Sequence, residues 1–355
     1  MPLLQTFGED SARDFGFADG NNLNTNSIPP LYPFNINTTL TFTAGTATGQ
    51  NGPNLSQALS GLTSNASTSW ASNTAFFNMT QNGYQLWTVP ATGLYQIKAF
   101  GAPGASTNLV VGAGAIIQAT VRLVQSGIVT ILVGQYGQSS TSGGGGGGTF
   151  VTSGTNYTSS PLIIAGGGGG GLDGNGAYSI AGAQGQMNFT ASNSADNSGI
   201  GGGNGGTGYG GTGSNNGWGG GGGGFYGSGT AAANAAGYGY SGAGSGFVNG
   251  ATGGNTATSA YGGFGCGGGT HGNTGGGGAG GGYTGGGGSN QNQSPDNGGG
   301  GGSYIISSAT NVSTSTGTWA GTSTFNGSTI INLNSYNGTY RGTLVNGSVT
   351  ITRVS

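Results

Sequence analysis

PLIIAGGGGGG, residues 161–171, sets a short β-branched and apolar run directly against six consecutive glycines. The first half has the composition of a buried strand. The second half consists of the residue that loses most conformational freedom on folding. The fold turns on what makes ordering that run worthwhile.

The same junction recurs along the chain. Glycine runs stand at 143–148, 166–171, 219–224, 275–278, 285–288 and 298–302, and 89 of the 355 residues are glycine. A plain flexible linker has no use for Trp218, Phe225, Tyr226, Tyr238, Tyr240, Phe247, Tyr261, Phe264 and Tyr283, which recur beside the runs. Collagen is excluded, because GGGGGG breaks a strict Gly-X-Y register and proline is scarce. The ordered alternative is a left-handed extended helix of polyproline II geometry, with about three residues per turn and no internal hydrogen bonds. Ordering costs roughly 1–2 kcal/mol per residue. A backbone hydrogen bond returns on the order of 1 kcal/mol net, with about 0.5–1 kcal/mol more from a Cα–H contact to a carbonyl. The balance approaches zero only if nearly every backbone group is paired, which requires several close neighbours and therefore no β-carbon between them. The expectation is a bundle of polyglycine II helices cross-linked through the backbone.

Outward from the runs, TTLTFTA, YQLWTVP, GLYQIKAFGA, AIIQATVRLV and IVTILVGQYG alternate or run apolar over short lengths, with a Pro-Ala-Thr-Gly turn between the second and third. After the glycine tract GSYIISS, STIINL, YRGTLV and GSVTITRV return to the same pattern. Capped helical periodicity is nearly absent. The reading is an all-β chain: an extended arm over 1–33, a β-sandwich over 34–165, a glycine-rich insertion over 166–302, and C-terminal strands over 303–355 rejoining the sandwich. The residues expected in packing rather than recognition are Trp70 and Trp87. Tyr226, Tyr238, Tyr240 and Tyr283, set among Asn and Thr, are the candidate surface-contact residues.

Charge narrows the function further. Asp, Glu, Lys and Arg make up 3% of the chain against about 25% in a typical soluble domain. The five cations, Arg13, Lys98, Arg122, Arg341 and Arg353, are scattered, whereas nucleic acids need clustered cations, so no nucleic-acid partner is expected. Four of the seven acids, Glu9, Asp10, Asp14 and Asp19, fall in the arm, and Pro29, Pro30 and Pro33 favour an extended path there. The start lacks the basic and apolar regions of a secretory leader, and no apolar run of about 18 residues suggests membrane insertion. Sequons at Asn37, Asn54, Asn78, Asn337 and Asn346 are what so Asn-, Ser- and Thr-rich a chain contains by chance.

Chemistry has little to work with. The one Cys, Cys266, and the one His, His271, stand five apart in CGGGTH, the best nucleophile and base pairing the chain offers. No orienting acid is nearby in sequence, and a zinc site needs about four ligands where these supply two. The sole lysine is followed by Ala99, so no Walker A loop exists. The chain is expected to be non-enzymatic, without cofactor or metal.

WTVPATGLYQIKAFGAPG (87–104), TILVGQYG (130–137), GGGGGGTFV (143–151), PLIIAGGGGGG, GFVNGATGG (246–254), GGFGCGGG (262–269) and GGGGAGGGYTGGGG (275–288) resemble, in order, the glycine-rich extracellular region of the anaplastic lymphoma kinase and leukocyte tyrosine kinase receptors. That resemblance covers about 40–302 and implies a TNF-like, jelly-roll sandwich carrying inserted glycine helices. The receptors' cysteines are missing and Cys266 stands where a glycine is expected, so the resemblance implies fold and not receptor signalling. LLQTFGEDSARDFGFADG resembles the openings of structural proteins from tailed phages and large DNA viruses, which makes Phe7, Arg13, Phe15 and Phe17 candidate anchoring residues. The resulting expectation is a multi-copy or homo-oligomeric virion surface protein, bound to other virion proteins through the arm and touching a host surface glycan or protein. The alternatives are a secreted or cell-surface binding module and an ice-binding protein.

Overall fold

A computed structural model describes Tyr32 and residues 34–106, 111–140, 142–173, 179–180, 184–195, 197, 199–202, 218–232, 241–256, 260–271, 276–290, 297–316, 323–325, 328–330 and 344–355. The candidate arm residues Phe7, Arg13, Phe15 and Phe17, and Tyr238 and Tyr240, lie outside the described residues.

The strands are β1 Thr39–Phe42, β2 Thr63–Ser64, β3 Phe77–Asn78, β4 Gln85–Thr88, β5 Gly93–Phe100, β6 Ala115–Leu123, β7 Ile128–Leu132, β8 Thr149–Ser153, β9 Ser160–Ala165, β10 Leu172–Asp173, β11 Ser179–Ile180, β12 Tyr304–Ile305, β13 Thr310–Thr316, β14 Ser323–Phe325, β15 Ser328–Ile330 and β16 Ser348–Arg353. Among the described residues one α-helix, α1 Leu55–Gly61, begins with a capping box in which Asn54 and Gln57 satisfy each other's backbone N–H. Two antiparallel six-stranded sheets form an all-β sandwich: β13-β6-β5-β16-β1-β2 and β12-β9-β8-β7-β4-β3.

Between the sheets lies a core of Leu40, Phe42, Ile97, Ile117, Val349 and Ile351 from the first and Trp87, Val129, Ile131, Val151 and Ile163 from the second. Trp87 is fully buried there, as its sequence neighbourhood indicates. Trp70 is partly buried; it stacks on Tyr32 at 4.3 Å between ring centroids and donates from Nε1 to the Ser67 carbonyl.

The two sheets differ in how they alternate. In β5 burial follows a period of two, because one face meets the core and the other meets solvent. In β7, β8 and β9 nearly every residue is buried, so this sheet is covered on both faces. Ile131, Val151 and Ile163 face the sandwich core. Their neighbours Leu132, Phe150 and Ile164 face a second cluster with Tyr84, Phe225, Phe247, Phe264 and Cys266. That second cluster joins the sheet to the glycine tract.

Glycine segments leave the strand ends without a break. The β5–β6 ladder continues as Gly101 N–H to Ala115 O and Gly104 N–H to Gly112 O, and the β7–β8 ladder as Gly147 N–H to Gln135 O. Stacked sheets sit about 10 Å apart because side chains fill the gap. Where the side chains stop, the layers meet: Ala102 and Ala105, extending β5, donate to Gly147 and Gly144, extending back from β8.

Within the glycine layer the hydrogen bonds repeat every three residues. Gly143 and Gly146 donate to Gly171 and Gly168; Gly144 and Gly147 to Gln138 and Gln135; Gly145 and Gly148 to Gly268 and Gly265, all at 2.7–3.0 Å. In residues 219–224, positions 219 and 222 donate to Ser289 and Gly286, 220 and 223 to Gly269 and Cys266, and 221 and 224 to Thr230 and Gly227. A backbone that aims successive N–H groups at three different neighbours must let them all approach closely. A β-carbon on Gly145 would lie 1.9 Å from the Ala279 carbonyl oxygen, and one on Gly168 would lie 1.9 Å from that of Gly112.

Candidate functional site: a tyrosine patch at the end of the glycine layer

The segment 278–283 organises the layer. Gly278 and Gly281 donate to Gly143 and Gly146, Ala279 and Gly282 to Gly220 and Gly223, and Gly280 and Tyr283 to Gly299 and Gly302. In each pair a step of three on one chain matches a step of three in the same direction on the other. The segment is therefore flanked by three parallel runs, 143–148, 219–224 and 298–302, and all four end at one level. Each ends within two residues of an aromatic: Phe150, Phe225, Tyr283 and Tyr304.

Those four aromatics meet. Phe150 and Phe225 are buried against Phe247, with Phe225 stacked on it at 4.8 Å and 11°. Phe247 sits on a single 3₁₀ turn, Phe247–Asn249, and its carbonyl accepts from the Tyr84 hydroxyl. Above this floor Tyr226 packs edge-on against Phe225 at 4.8 Å, Tyr283 lies 6.4 Å from Tyr226, and Tyr304 lies 4.6 Å from Tyr283. Tyr226 is 57% exposed, and Tyr283 and Tyr304 are half-buried. The rings are carried on threads tied through the backbone, Phe225 N–H to Tyr283 O at 2.9 Å and Tyr283 N–H to Gly302 O at 2.8 Å. Burial, then the neighbouring Tyr226 and Tyr304, push the Tyr283 hydroxyl pKa up. Beside them runs the Phe189 backbone, which accepts from the Thr284 hydroxyl; the Phe189 side chain is half exposed.

Two of the four candidate contact tyrosines, Tyr226 and Tyr283, thus come together. Tyr304 was absent from that set because GSYIISS has the composition of a strand, which it forms as β12. The signal that finds it is its place just after a glycine run, shared with Phe150, Phe225 and Tyr283.

Cys266 and His271 occupy different surroundings. Cys266 is fully buried in the aromatic cluster with φ of +76°, a left-handed position where glycine is favoured. Burial pushes its thiol pKa up, the opposite of what activates a nucleophile. His271 is buried with its ring 4.5 Å from that of Trp218. Among the described residues no group of three or more His, Cys, Asp or Glu is placed to hold a metal ion, and no helix is long and apolar enough to cross a membrane. A cleft of about 370 Å³ beside α1 is lined by Leu59, Leu62, Thr68, Ser69, Ala71 and Ser72, and carries no titratable group.

Among the described side chains the charged ones are Lys98, Arg122 and Arg353, all on the first sheet in β5, β6 and β16. The tyrosine patch lies beyond the second sheet, with the glycine layer. No protein-family model matches the chain, and no curated protein matches it.

Proposed function

We propose that this chain is a non-enzymatic surface protein of a virion, capsid- or tail-associated, in which a TNF-like sandwich carries a rigid bundle of polyglycine II helices and presents its aromatic end for host contact. The observation that carries the reading is the convergence of four parallel glycine runs on one aromatic level, with Tyr226 exposed at its edge. The three-residue hydrogen-bond repeat supports the helix assignment, because an extended three-fold backbone directs every third N–H the same way. A fixed backbone scaffold ending in aromatic side chains suits display: rings held by main-chain bonds lose little freedom when a partner binds. The acidic arm supplies the attachment to other virion proteins, through Phe7, Arg13, Phe15 and Phe17.

Mass spectrometry and labelled-antibody imaging of purified particles test this. Abundant copies at the particle surface are expected. Absence from the particles would contradict the reading and favour a secreted or cell-surface binding module.

A further inference from the structure

We infer that the patch of Tyr226, Tyr283 and Tyr304 is a binding site for an uncharged oligosaccharide. The inference rests on the host-contact reading of the same patch and names the chemistry of what it contacts.

Area argues for a small ligand. A large aromatic side chain presents roughly 150–250 Å² when free, so with Tyr226 57% exposed and the other two half-buried the rings together offer no more than about 300 Å². A stable protein partner needs about 800 Å² on each side. Two or three sugar rings match the smaller figure.

Charge argues for a neutral one. The described charged side chains stand on the first sheet, so the patch has no nearby described cation to recognise a sulfated or sialylated chain, and its own groups are phenolic hydroxyls and ring faces. A tyrosine presents an apolar face to the C–H side of a pyranose and a hydroxyl to its rim. Ser228, two residues after Tyr226, adds a hydroxyl, which accepts from the Asn249 side-chain amide at 3.3 Å. The platform is preorganised, since Phe225 and Phe247 fix the floor and backbone bonds fix the spacing.

The test uses the full chain with maltohexaose, cellohexaose and mannohexaose as neutral probes and an oligogalacturonate as the acidic one. Saturation-transfer NMR and titration are run at low and high sodium chloride. At least one neutral hexasaccharide is expected to bind with an affinity that salt leaves within about twofold. Tyr226→Ala is expected to weaken binding about tenfold, while Tyr226→Phe, which keeps the ring, stays within about threefold. Thermal stability of both variants confirms that the fold is retained. Binding by none of the neutral probes, binding unaffected by Tyr226→Ala, or binding of the acidic probe alone with loss at high salt would overturn the inference. So would self-association or capture of a protein partner abolished by Tyr226→Ala without sugar binding, which assigns the patch to a protein interface. Particle imaging is independent of all these results, so failure of the sugar site and failure of the virion reading are told apart.

Discussion

The sandwich and the glycine layer use the same threads in opposite ways. Along β8 the chain is held by what its side chains bury: Val151 enters one core and Phe150 the other. Just upstream, residues 143–148 bury no side chain, and the same chain is held by backbone bonds to three neighbours. The sheet has a period of two because side chains must alternate between faces. The glycine layer has a period of three because, with side chains gone, neighbours can approach from three directions. Removing the β-carbon changes the number of partners a thread can have, and two sheets kept apart by their core can then merge into one bonded layer.

This contrast can be broken at several points. Truncating Phe150, where sheet and glycine layer meet, removes a fully buried ring that contacts both Phe225 and Phe247. Phe150→Ala should cost about 3–5 kcal/mol in denaturant unfolding. Gly145→Ala should cost about 3 kcal/mol, since the added methyl meets the Ala279 carbonyl, which is itself hydrogen-bonded to Gly268. In an open loop the same change often stabilises by about 0.4–1 kcal/mol through the unfolded chain, so the sign separates a bonded layer from a linker.

The strand half of this contrast was legible in the sequence. Alternation in GLYQIKAF gives β5, and the continuous apolar run of PLIIA gives a strand covered on both faces. The glycine half was legible only as a requirement that the runs find partners. Which run lies beside which follows from long-range contacts, such as Gly278 with Gly143, that carry no side-chain signature. For that reason the choice of Tyr226, Tyr238, Tyr240 and Tyr283 as contact residues rests on composition alone, and Tyr304 escapes it. Cys266 shows the limit from the other side. Its backbone is left-handed, a conformation that only Gly265 shares among the described glycines of 262–269, and the aromatic cluster that accepts its side chain comes from segments far apart in sequence.

Alkali probes the buried tyrosines of both clusters, Tyr32 and Tyr95 in the sandwich core and Tyr84 where the sheet meets the glycine layer. Burial raises the Tyr95 pKa from 10.0 to about 12, and raises those of Tyr32 and Tyr84 further in the same direction. The unfolded chain releases these protons near pH 10 while the folded chain keeps them, so stability is full below pH 10 and falls as pH climbs toward 12. Denaturant midpoints measured from pH 8 to 12 should decline across that window, and Tyr95→Phe should flatten the decline. The smallest effect is expected at Cys266. Cys266→Gly relieves a left-handed residue, worth about 1–2 kcal/mol, and gives up a buried thiol of similar value, so its unfolding midpoint should stay close to that of the parent protein.

Hydrogen exchange resolved at single glycine amides, with β8 as the internal reference, tests the central claim most directly. If residues 143–148 are held by the bonds described, their amides will exchange as slowly as those of Phe150 and Val151, and only through global unfolding. Exchange of those glycines at the rate of an open, solvated chain, with β8 still protected, would contradict it.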